Sequence, residues 1–310
     1  MKSDLIAQIE VLVREGQFQK ARQQLRLIKP KTISREGLAK LSDLARRSSE
    51  PLLALKWLNH LFSEESFYTP TGEERIVYST ALISVGVLDQ ADQILREMNW
   101  REHPSVLLYR SFARFGVWDY QATLPFLKDY IEIDSLSDYQ KLIGRVNLIA
   151  ALICSGLIEE ADYNLQITLP KLKAQNYTLL IGNCYELLAQ LEIYKGNWKA
   201  AEVALYHAEI ALRESHGDYL LFVRKWKVLL QQLQFGYHPE AMNLLKHEAR
   251  RIKHWETLRE CEMFESVIQQ DKFKLQKVLL GTPYRSYHQR AFHFWGKQEE
   301  IPKSYDWQPE

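Results

Sequence analysis

The chain has 310 residues, 46% of them hydrophobic and 25% charged, with a formal net charge of +1. That balance speaks against a wholesale nucleic-acid binder or an acidic tail protein, while the apolar share is ample for a continuous core. No apolar run approaches the roughly 18 residues of a spanning helix, and acids stand in the first ten residues where a secretory signal needs a basic and then an apolar stretch.

One recurring phrase organises the chain. It opens as Gly16-Gln-Phe-Gln-Lys-Ala21 and recurs as Ser49-Glu-Pro-Leu-Leu-Ala54, with serine for glycine. A longer connection over 63–71, carrying Phe67, Tyr68 and Pro70, separates it from Gly86-Val-Leu-Asp-Gln-Ala91. Gly116-Val-Trp-Asp-Tyr-Gln-Ala122 follows with its alanine one place late, and Pro125 predicts a kink or a late helix start there. Three regular copies come next, forty residues apart: Gly156-Leu-Ile-Glu-Glu-Ala161, Gly196-Asn-Trp-Lys-Ala-Ala201 and Gly236-Tyr-His-Pro-Glu-Ala241. Asp271-Lys-Phe-Lys-Leu-Gln276 is a degenerate eighth candidate.

The phrase has a physical reading. Glycine takes positive φ at little cost, so it ends a first helix cleanly. The small alanine five residues later lets a second helix press close. Apolar residues then run at helical spacing: Ala201, Leu205, Ala208 and Leu212 after the turn, and Leu180, Cys184, Leu187, Leu188 and Leu191 before it. Pro51 and Pro239 fall at the first position of second helices, where a missing N–H costs nothing. No long alternating run bounded by Asn-Gly or Asp-Gly suggests a strand. Stacked helical hairpins follow, an arrangement in which each unit buries its apolar face only against its neighbours.

These phrases, with Ala189 seven residues before Gly196, resemble the tetratricopeptide repeat. The likeness covers roughly residues 1–280, although the regular copies here repeat at forty residues and the family's at about thirty-four. Longer periods of this kind look like the tetratricopeptide-type sensor regions of some bacterial regulators. The resemblance implies an all-α, right-handed superhelical solenoid of about seven TPR-like hairpins over 1–280, followed by an aromatic and basic cap or linker over 281–310. It implies a concave groove lined by first helices. Counting back from each glycine, the inward candidates are Arg110, Asn147, Asn183, Glu186, Gln190, Trp226 and Lys227, with Trp226 suited to an anchor pocket. The implied function is a non-enzymatic scaffold or adaptor that binds a protein or peptide. A regulator that senses a peptide or small ligand, acting on a partner or on a domain beyond Glu310, is the second expectation.

Nucleic-acid binding is a third reading, through basic stripes. From Lys20 to Arg47 nine basic residues face only Glu36 and Asp43, and Lys246, Arg250, Arg251, Lys253 and Arg259 form a second cluster. In the tail, Arg285, Arg290 and Lys297 alternate with Tyr284, Tyr287, Phe292, Phe294 and Trp295, a pattern that either stacks on bases or covers the end of an array. No phosphate-binding glycine loop, dinucleotide fingerprint or nucleophile elbow is present. His247-Glu248 and His254 have the wrong spacing for a zinc helix, so no metal or other cofactor is expected. Cys154, Cys184 and Cys261 give neither a disulfide framework nor a zinc pattern and read as small core residues, which fits a cytoplasmic protein.

Overall fold

The computed structural model describes residues 2–14, 17–63, 66–213, 217–252, 254–281, 290, 291 and 293. Among these the regular structure is entirely helical: sixteen α-helices and two short 3-10 turns, Pro30–Thr32 and Asn59–Leu61. The chain divides into two compact units, residues 1–117 and 118–310.

Unit 1 holds α1 (Lys2–Arg14), α2 (Phe18–Arg26), α3 (Arg35–Arg47), α4 (Pro51–Leu58), α5 (Gly72–Ser84), α6 (Leu88–Arg96) and α7 (Ser105–Gly116). The first helices α1, α3, α5 and α7 pack in series, and α2, α4 and α6 each return against the helix before them. Unit 2 holds α8 (Tyr120–Ile131), α9 (Asp138–Cys154), α10 (Ile158–Ala174), α11 (Thr178–Lys195), α12 (Trp198–Leu212), α13 (Gly217–Phe235), α14 (Pro239–Arg251), α15 (Trp255–Ile268) and α16 (Lys272–Leu280). Here α9, α11, α13 and α15 stack in series, and α10, α12, α14 and α16 complete the pairs.

The turns explain the hairpins. Gly86, Gly156 and Gly196 have φ of 82°, 75° and 80°, the left-handed region that glycine enters freely. At Gly196 the N–H of Asn197 donates to the carbonyl of Glu192 at 2.8 Å and that of Gly196 to Ile193 at 3.1 Å, so two orphan carbonyls of α11 are satisfied. The second helix starts two residues after the left-handed one, and the residue five places after it is buried: Ala91, Ala161 and Ala201 are all fully enclosed. Ser49 does the same work at φ 62°, with Ala54 fully enclosed. Beyond that point Leu205 and Leu212 are buried, each stabilising the fold by about 1.5–3 kcal/mol.

Three turns and one proline differ from the sequence expectation. At Gly116 the left-handed residue is Trp118, at φ 62°, and the fifth residue after it is the buried Thr123. Gly116 belongs to the end of α7, and a Cβ there would sit 2.7 Å from Leu88 Cδ1. Its glycine serves close packing rather than the turn. Near the end of the array the left-handed residue is Gln270, one before the expected Asp271, which instead caps α16 by accepting from the Lys274 N–H at 2.9 Å. After Gly236, α14 starts three residues on, and the enclosed position is Met242 rather than Ala241. Pro125 neither delays α8, which begins at Tyr120, nor ends it. Gly16 and most of 281–310 lie outside the described residues.

Candidate functional site

Unit 2 buries a set of charged and polar side chains on its first helices. Helix α11 presents Glu186, Gln190 and Tyr194 four residues apart, hence along one face. Helix α13 supplies Lys225 and Trp226, α15 supplies Glu256 and Glu260, and α9 ends on Cys154. Arg290, which lies beyond α16 and is itself helical, as are Ala291 and His293, reaches into the same place and is only 3% exposed.

Glu260 is the hub. Lys225 Nζ pairs with its Oε2, and Arg290 Nη1 lies 2.9 Å from its Oε1. Arg290 Nη1 also donates to Cys154 Sγ at 3.0 Å, and Nη2 to Gln190 Oε1 at 3.3 Å. Gln190 in turn donates through Nε2 to Glu186 Oε1 at 2.7 Å. The Trp226 ring carries both cations on its face, Arg290 at 5.1 Å and Lys225 at 5.2 Å from the centroid, and meets Phe264 edge-on at 5.6 Å. His293 stacks on Tyr194 with ring centroids 4.4 Å apart. The Trp226 indole N–H finds no acceptor among the described residues.

Burial and charge divide the three acids. Burial alone would raise the Glu260 carboxyl, but the Arg290 and Lys225 charges outweigh it and hold it below the ordinary range. Glu186 is pushed up by burial. Glu256 is pushed up to about 7, by burial first and by the Glu260 charge second. Burial disfavours the Lys225 cation, yet the Glu260 and Glu256 charges more than compensate and keep it protonated. The cysteines are poor nucleophiles: burial lifts the Cys154 thiol to about 11 and those of Cys184 and Cys261 to about 12.

Of the seven residues expected to line a groove, Glu186, Gln190 and Trp226 converge here. Trp226 is fully enclosed, so its ring is the floor beneath two cations and not an open anchor pocket. Asn183 is half-buried one turn before Glu186. Asn147 is half-buried and turns back to donate to the Ile143 carbonyl of its own helix at 2.9 Å. Lys227 points elsewhere and pairs with Glu209 of α12 at 2.6 Å. Arg110 belongs to unit 1, where its Nε donates to Asp92 Oδ1 at 3.3 Å. Lys225, Glu256 and Glu260 escaped the sequence reading, and Arg290 stood out there only for the aromatic rings around it. The Glu256–Glu260 spacing of one helical turn was the only local signal. Five of the nine basic residues of the unit 1 run are paired in place: Arg26 with Glu50, Arg35 with Glu74, Lys40 with Glu36, and Arg46 and Arg47 with Asp43.

Comparison with known proteins bears on the fold. No protein-family model matches the chain, and no curated protein sequence does. Solved structures do. A Rap protein complexed with Competence and Sporulation Factor is similar over 96% of this chain and 98% of its own, with a TM-score of 0.60 at 12% identity. This chain has a tetratricopeptide-like helical-repeat fold. The apo form of RapI is similar over 96% of this chain and 87% of its own, with a TM-score of 0.52 at 14% identity. The Rap conjugation gene regulator of the plasmid pLS20, in complex with the Phr* peptide, is similar over 90% of this chain and 81% of its own, with a TM-score of 0.52 at 12% identity. Among the described residues no helix is long and apolar enough to cross a membrane, and no group of three or more His, Cys, Asp or Glu is placed to hold a metal ion.

Proposed function

We propose that this chain is a non-enzymatic regulatory adaptor of the cytoplasm, switched by a peptide that binds the inner faces of α9, α11, α13 and α15. The observation that carries this is the buried set Glu186, Gln190, Lys225, Trp226 and Glu260, with Glu256 half-buried beside it. Charges are costly inside a protein unless paired, and a helical array has no packing need for six polar or amphipathic groups on the faces of its first helices. Such groups suit recognition of a peptide's polar atoms and charged side chains. Two of the similar structures named above hold a named factor or peptide, which agrees with this use of the fold. Asn147 and Asn183, half-buried on α9 and α11, extend the same surface in this reading. The division into an array over 1–280 and a terminal element over 281–310 belongs to the proposal as well.

Selection of short random peptides on the immobilised full chain tests it. Enriched peptides should lose at least tenfold in affinity on Glu186→Ala or Gln190→Ala, and their binding should leave Lys227→Ala unchanged. No enrichment on either the wild-type chain or Arg290→Ala rejects the reading.

A further inference from the structure

The buried set already has an occupant, and it comes from the chain itself. Arg290 and Ala291 are 3% and 0% exposed, although the array's last helix, α16, ends at Leu280. The guanidinium touches groups from four first helices: Cys154 of α9, Gln190 of α11, Trp226 of α13 and Glu260 of α15. These partners lie 136 and 100 residues away for the two hydrogen bonds. His293, three residues on, lays its ring against Tyr194 of α11. One arginine therefore engages a fork of acceptors and an aromatic face, as an anchor side chain of a bound peptide does.

Part of the set keeps its partners without that arginine. Glu260 keeps the Lys225 ammonium as a partner when the guanidinium is withdrawn, because the two cations sit on different carboxylate oxygens. Gln190 keeps its bond to Glu186. Glu260 Oε1 and Cys154 Sγ give up their guanidinium partner in that case and are open to a donor from another molecule.

We propose that the C-terminal segment is an intramolecular ligand of the unit 2 site, anchored by Arg290 and steadied by His293, and that an external partner binds by replacing it. This rests on the peptide-binding reading above and adds its regulation. The arithmetic favours control rather than permanent closure. A tethered segment acts at an effective concentration in the mM range. If the free segment binds at about 10 μM, the tether holds the site closed about 99% of the time and weakens an external peptide on the order of 100-fold.

The test supplies the segment in trans. A fluorescent peptide with the sequence of residues 287–297 is titrated into the full-length chain, wild type and Arg290→Ala, and polarisation is read. Binding to Arg290→Ala at least tenfold tighter than to wild type is expected, and the same peptide with alanine at its arginine should bind neither. Equal binding to both chains overturns the proposal, as does binding to neither. Arg290→Gln serves as a second chain. Should both variants lose their helical circular dichroism, the arginine is a strut rather than a ligand and the proposal falls. The two readings fail separately. Peptide selection that yields nothing, beside trans binding that depends on Arg290, leaves the self-contact standing without an external peptide.

Discussion

The two units each gather cations around a carboxylate, with different consequences. In unit 1, Asp92 of α6 accepts from Arg96 of its own helix at 2.7 Å and from Arg114 and Arg110 of α7 at 2.8 and 3.3 Å. Burial would raise its carboxyl, but those arginines outweigh it and hold it low. The carboxylate is enclosed, yet Arg96 is 62% exposed, so the cluster stays in touch with water. In unit 2, Glu260 is fully enclosed and its partners Lys225 and Arg290 are 3% and 2% exposed. The first cluster is a clamp between adjacent helices, cheap to form and modest in worth. The second carries a desolvation cost on every member, which only complete pairing offsets. Cost without packing benefit is the physical reason to look for function in unit 2 and not around Asp92.

The comparison can be broken most sharply at its hubs. Glu260→Ala leaves two cations buried without their shared partner and should cost about 3–5 kcal/mol of stability in a urea titration. A loss below about 1 kcal/mol would mean that water reaches the cluster and the contrast is false. Asp92→Ala should cost about 1–2 kcal/mol, since its arginines can turn to solvent.

Acidity also separates two carboxylates of unit 2, both on α15. Glu256 releases its proton at about 7 in the folded chain, against an ordinary 4.5. A raised carboxyl contributes stability that is whole below the unfolded value and is lost as pH climbs through the folded one. The melting temperature should therefore fall between pH 5 and pH 8, and Glu256→Gln should flatten that slope. Glu265 of α15 runs the opposite way. Burial would raise it, but hydrogen bonds from Lys274, Tyr237 and Lys246 bring it down to about 2. Its contribution is whole above about 4.5 and fades as pH drops towards 2, outside the window that reports on Glu256. The smallest expected effect is salt. Raising ionic strength from 0.05 to 0.5 M shortens the screening length to a few Å, which should erode the worth of the Asp92 clamp by a few tenths of a kcal/mol and leave the Glu260 cluster unmoved.

Much of the fold was legible because the turn is a local event. A glycine at a left-handed φ and a small residue five places later are both visible in the chain, and even Ser49 was identified through its neighbours. Trp118 was not, because a bulky residue with positive φ runs against steric expectation, and the glycine beside it drew attention while serving Leu88. The site was legible only in part. Glu186, Gln190 and Trp226 follow from counting back along first helices. Lys225 and Lys227 differ by two positions, and that small step sends one inward to Glu260 and the other outward to Glu209. Arg290 was noted for its aromatic neighbours, but its partners stand 100 residues or more upstream, where no periodic pattern points to them.

The joint after Gly236 carries a lesson of its own. It has one residue more than its fellows before the next helix begins, and the enclosed side chain moves from the fifth place to the sixth, from Ala241 to Met242. A helix advances about 100° per residue, so an uncompensated insertion would swing its apolar stripe a quarter-turn or more towards solvent. Here the extra residue lies ahead of the helix, and the phase is carried over intact. Joints of this kind tolerate added length when it falls before the helical start and punish it afterwards, and this longer one is fastened in place, with Tyr237 bonded to Glu265 and both backbone groups of His238 bonded to the Gln232 amide.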